Sequence, residues 1–144
     1  MMMTSDGARA VLERFYAAES AYVAAGGPGR AGFAEIAACL HPQVVLHQAP
    51  GLPFTGEWRG AEGMERFMRV MTELWQSVEF LEQRHLVDDE RIVVVNEVRF
   101  VARASGRKLD TSLVQVMTVR SGLLFEMRPY YWDPAAVSEV LTTG

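Results

Sequence analysis

Val119-Arg120-Ser121-Gly122-Leu123-Leu124-Phe125-Glu126, followed by Tyr130-Tyr131-Trp132-Asp133, decides the fold. Ser121-Gly122 is a turn signal between two apolar-rich runs. The stretch reads as strands over residues 109–120 and 123–132 joined by a tight turn. Asp133-Pro134 then opens a short last helix, to about residue 141, with Asp as N-cap and Pro as first helical residue. Further back, Ser105-Gly106 and Asp88-Asp89-Glu90 mark two more turns. They bound a strand over 92–102, rich in β-branched residues, and another over 79–87. This half of the chain is an antiparallel meander.

The preceding half reads mostly as helix. A first helix over 6–25, capped by Asp6, turns Val11, Leu12, Phe15, Ala18 and Tyr22 to one face, with Tyr16 beside them. Gly26-Gly27-Pro28-Gly29 breaks it and joins it to a short second helix over 31–40, which Pro42 ends. Val44-Val45-Leu46-His47 is a short strand. It runs into Ala49-Pro50-Gly51-Leu52-Pro53-Phe54-Thr55-Gly56, too rich in Pro and Gly for regular structure. A third helix over 61–77 carries Met64, Phe67, Met68, Met71, Leu74 and Trp75 at helical spacing. Three helices before a meander give one α+β domain over 1–144.

Composition narrows the function. The 144 residues are 49% hydrophobic and 22% charged, ordinary for a folded domain. A net charge of −4 argues against nucleic-acid binding, whose footprint is basic. No apolar run approaches the roughly 20 residues of a membrane span, and residues 1–7 have no leader pattern, so the expectation is cytoplasmic. The lone Cys39 cannot form an internal disulfide and reads as buried and inert. His41, His47 and His85 show no metal-binding spacing, so no metal or cofactor is expected.

The order of elements resembles the NTF2-like superfamily, and within it the SnoaL-like polyketide cyclases. Leu40-His41-Pro42-Gln43-Val44-Val45, Trp58-Arg59-Gly60-Ala61-Glu62-Gly63 and the opening stretch carry the resemblance. It implies a cone in which three N-terminal helices pack on a strongly bent antiparallel sheet around an internal pocket. It also implies a homodimer through the outer sheet face. The catalytic sets of relatives are not matched here. The ketosteroid isomerase base falls near Ala49 and its oxyanion Asp on Gln115. Epoxide hydrolase positions fall on Asn96, Val98 and Pro129. The cyclase acid falls on Trp132, next to Asp133, and its His on Gln115.

The remaining polar residues supply the candidates. His47, at the expected mouth of the pocket, has a side chain suited to proton transfer; Asp133 is the fallback, although capping explains it. Gln115, in an apolar strand, is the candidate oxyanion donor. Asn96 and Tyr16 are expected to orient substrate. Phe54, Trp58, Trp75, Met117 and Tyr131 are expected to wall the pocket. Together they suggest cofactor-free cyclisation, isomerisation or dehydration of an apolar, oxygenated, polyketide- or terpenoid-like molecule. The competing reading is a binding module for a small hydrophobic ligand.

Overall fold

A computed structural model describes residues 5–142, with side chains from residue 7 onward. The capping side chain of Asp6 and most of the segment read for a leader lie outside the described residues. The order is α1 (Ser5–Ala25), α2 (Ala34–Ala37), β1 (Leu40–Gln48), β2 (Gly56–Arg59), α3 (Gly60–Leu74), β3 (Trp75–Asp88), β4 (Arg91–Ala102), β5 (Lys108–Arg120), β6 (Leu123–Tyr131) and α4 (Pro134–Thr142). The fold is α+β, with four helices among the described residues.

The six strands form one curled sheet in the order β2-β1-β6-β5-β4-β3. All pairs are antiparallel except β1 with β6, which run parallel. The meander brings β6 back beside a strand laid down before α3, so the fully antiparallel expectation is corrected there. Bulges at Trp75/Ser77, Phe80/Glu82 and Thr118/Val119 shift the register and bend the strands. The β5–β6 turn places Ser121 at φ 54° and Gly122 at φ 76°, the left-handed pair a two-residue hairpin demands.

Alternation assigns the faces. On β4, Ile92, Val94, Asn96, Val98, Phe100 and Ala102 are buried, and the residues between them are not. Helices α1 and α3 cover this concave face. Helix α1 contributes Leu12, Phe15 and Tyr16, and α3 contributes Met64, Phe67, Met68 and Met71. Gly27 permits a close approach: a Cβ there would lie 2.5 Å from Thr72 Oγ1, and its φ is +77°.

Three boundaries differ from the sequence reading. Helix α2 is a single turn, and the chain is already extended at Leu40, through Pro42 to Gln48. Strand β2 occupies a stretch read as loop and helix start, because it pairs with β1 from Val45 to Gln48. Trp75 opens β3 instead of continuing α3. Arg103 ends that helix: its guanidinium donates to Thr72 O at 2.7 Å and Trp75 O at 3.0 Å, and its amide to Leu74 O, supplying carbonyls that a helix end leaves unpaired.

Candidate active site

The concave face and the two helices enclose a cavity lined mainly by Phe15, Leu46, Met64, Phe67, Met71, Val78, Phe80, Phe100, Leu113 and Met127. Its polar groups are Glu19, Gln48, Gln115 and Tyr131. The cavity is narrow, with about 30 Å³ free for water-sized molecules, room for about two waters. Three methionines in the wall can change rotamer to admit something larger.

Glu19 is the group that the sequence reading missed. It lies on α1 one turn beyond Phe15 and three residues before Tyr22, on the face that packs against the sheet. It is 9% exposed and has no hydrogen bond or ion pair among the described residues. Burial alone pushes its carboxyl up to about 7, because the charged form loses hydration and gains no partner. The sequence signal was available: an acid at a core-facing position of an amphipathic helix is out of place unless paired or used.

Two phenols stand nearby. Burial, and to a lesser degree the Glu19 charge, holds Tyr131 well above the usual phenol range; Gln48 beside its hydroxyl moderates the rise. Tyr16 is raised by burial, moderated by Asn96 and raised further by Glu19. Both phenols stay protonated near neutrality, so each keeps a hydrogen to donate. The Tyr16 hydroxyl is buried with no well-aligned hydrogen bond.

Of the residues expected at the site, Gln115 and Tyr131 line the cavity. His47 does not. Strand β1 buries Val44, Leu46 and Gln48, so His47 faces outward. Its Nδ1 lies 3.1 Å from Glu57 Oε2 and its Nε2 3.4 Å from Glu126 Oε2. It borders a separate outer cleft with Glu57, Arg128 and Tyr130. Asp133 is exposed, and its Oδ1 accepts from the Ala136 amide at 3.0 Å as the cap of α4.

Asn96 faces inward but is fully buried and occupied. Its Oδ1 accepts from Gln83 Nε2 at 2.8 Å, and its Nδ2 donates to Leu113 O at 3.0 Å. Tyr16, Phe54, Trp58, Trp75 and Met117 stand behind the lining instead of in it. Tyr16 packs its ring on Phe80, and Phe54 on Phe67 and Tyr131. Trp58 donates to Phe54 O at 3.2 Å, and Trp75 packs on Phe100. Met117 is buried between β4 and β6, opposite Ile92 and Met127.

The sequence profile described as the SnoaL-like domain matches residues 12–127, most of the chain. The chain belongs to the SnoaL-like family. No curated protein matches the sequence. Solved structures repeat this SnoaL-like architecture. An NTF2-like protein of unknown function from Burkholderia pseudomallei is 19% identical, with 98% of this chain and 100% of that chain covered and a TM-score of 0.81. A protein named a polyketide cyclase, from Xanthomonas campestris, is 14% identical over 94% and 97% of the two chains, with a TM-score of 0.76. One named a SnoaL-like polyketide cyclase, from Jannaschia sp. CCS1, is 15% identical over 100% and 99%, with a TM-score of 0.73. At these identities the likeness establishes the fold. Among the described residues, no helix is long and apolar enough to cross a membrane, and no group of three or more His, Cys, Asp or Glu is placed to hold a metal ion.

Proposed function

We propose that this SnoaL-like chain is an enzyme of cofactor-free acid–base chemistry, acting on an uncharged, largely apolar, oxygenated small molecule. The observation that carries this reading is the Glu19 carboxyl in a largely apolar cavity, unpaired among the described residues; burial pushes it up to about 7. A carboxyl poised near ambient pH is suited both to take and to return a proton. Glu19 removes a proton from carbon next to a substrate carbonyl. Tyr131 and Gln115 donate to the enolate oxygen that forms. Glu19 then returns the proton to another carbon in isomerisation, to the new alkoxide in cyclisation, or to a departing hydroxyl in dehydration. Two similar structures bear polyketide cyclase names, in keeping with such substrates.

The test is turnover of neutral β-hydroxy ketones and diketones, followed by product chromatography. Wild-type protein is expected to convert at least one of them. Glu19→Gln is expected to lose roughly 10²- to 10⁴-fold in rate, the usual worth of a general acid–base group. Binding of these compounds without turnover would instead support the second reading, a ligand-binding module. One observation favours that alternative: His47 and Asp133 both lie outside the cavity.

For assembly, we propose a homodimer through the outer sheet face. Half-buried Val93, Val95, Val114 and Val116 adjoin there, Val93 opposite Val116 and Val95 opposite Val114, and Tyr130 and Trp132 are 56% and 84% exposed nearby. A single cytoplasmic domain completes the proposal.

A further inference from the structure

Buried polar atoms in folded proteins are nearly always hydrogen-bonded, and an exception at a cavity wall points to a missing partner. Gln48 is such an exception. Its side chain lines the cavity, the residue is 7% exposed, and its Oε1 is buried without a partner. Its backbone is fixed: Gln48 O accepts from Thr55 Oγ1 at 3.2 Å, and the residue pairs with Gly56 across β1–β2. The amide cannot turn to solvent without breaking the strand register.

The other polar groups define what would satisfy that oxygen. Among the described residues, no Lys or Arg lines the cavity, so a carboxylate or phosphate would enter beside Glu19 with no counter-charge. Tyr131 and Gln115 already supply donors for a carbonyl. The Gln48 side chain meets the Tyr131 hydroxyl as a donor, since it holds that phenol's rise in check, and its Oε1 is left with a hydrogen still to accept. We propose that the cavity takes an uncharged ligand bearing a hydroxyl group, and that this hydroxyl donates its hydrogen to Gln48 Oε1. The inference rests on the reading of the cavity as a small-molecule site and adds the chemical class. Admitting a ring requires the cavity walls, Met64, Met71 and Met127 among them, to yield, since the cavity is narrow.

Four probes share one ring and differ in one group: phenol, anisole, benzoate and benzylamine. Calorimetry on the whole chain is expected to show phenol bound roughly tenfold tighter than anisole, the size of effect that an unsatisfied buried acceptor produces. Benzoate is expected to bind weakest. The phenol preference is expected to vanish in Gln48→Met, which keeps the volume and removes the acceptor, and to persist in Glu19→Gln. Should Gln48→Met fail to fold, the side-chain amide of Gln48 in the wild-type ¹H–¹⁵N spectrum is expected to shift with phenol and not with anisole. Equal binding of phenol and anisole, a preference that survives Gln48→Met, or tightest binding of benzylamine overturns this inference and leaves the cavity reading standing. Failure of all four to bind overturns both.

Discussion

Gln48 and His47 are adjacent in β1 and face opposite sides of the sheet: Gln48 lines the cavity, while His47 sits outside between Glu57 and Glu126. A strand alternates its side chains strictly, so a one-residue difference in register decides which of the two meets a ligand. Pairing fixes it here, His47 opposite Glu57 and Gln48 opposite Gly56.

His47→Gln is therefore expected to leave kcat/KM within about threefold of wild type. Its partners are half-exposed, and such surface pairs contribute no more than about 1 kcal/mol. Steady-state rates and a thermal melt of the variant check this. A loss approaching 10²-fold would return the histidine to the mechanism.

Glu19 links stability to pH in an unusual direction. Its carboxyl is raised in the folded state from 4.5 to about 7, so the native chain holds the proton after the unfolded chain has released it. Stability from this group is complete below about pH 4.5 and is lost as pH rises through 7. At about 1.4 kcal/mol per unit, the loss is roughly 3 kcal/mol at pH 8. Glu19→Gln is expected to raise Tm at pH 8 and to change it little at pH 4.5. Melts at the two pH values read this out. A variant less stable at both would remove the buried-acid account.

Asn96 is expected to behave as a structural residue. Asn96→Leu leaves Gln83 Nε2 and Leu113 O without their partner, at a cost of about 1–3 kcal/mol. Denaturant unfolding should show the loss, and KM measured on the folded fraction should move less than twofold.

Asp133→Ala removes the cap on the Ala136 amide and is expected to cost about 1 kcal/mol with no change in kcat. Asp133→Asn, which keeps a capping oxygen, should be close to neutral. A fall in kcat in both would place the carboxylate at the chemistry.

The meander was legible because its signals are local. Turn residues at Ser105-Gly106 and Ser121-Gly122 separate runs of alternating burial, and Asp133-Pro134 opens α4 where expected. Helix α3 was legible from its methionine stripe as far as Leu74. It failed at Trp75, because the signal that ends the helix is Arg103, 28 residues away in sequence. Strand β2 was hidden for a similar reason: four residues next to a Pro- and Gly-rich loop have no periodicity of their own, and only β1 makes them a strand.

Gln115 and Tyr131 line the cavity, and a polar or aromatic residue in an apolar strand stands out in the sequence. His47 stands out in the sequence for its chemistry, but no local signal fixes the register that turns it outward. Glu19 is hidden in the sequence because Ala18 also completes an apolar helical stripe, and only α1 docking on β3 shows which of the two faces the cavity.

The most direct test of the account is the titration of Glu19 itself, followed through its side-chain carboxyl carbon by ¹³C NMR, with Glu19→Gln to assign the signal. The account predicts a midpoint near 7 that moves when phenol occupies the cavity. A midpoint at the ordinary glutamate value of 4.5, unmoved by phenol, would mean that the carboxyl is hydrated and that this cavity is not the site of proton transfer.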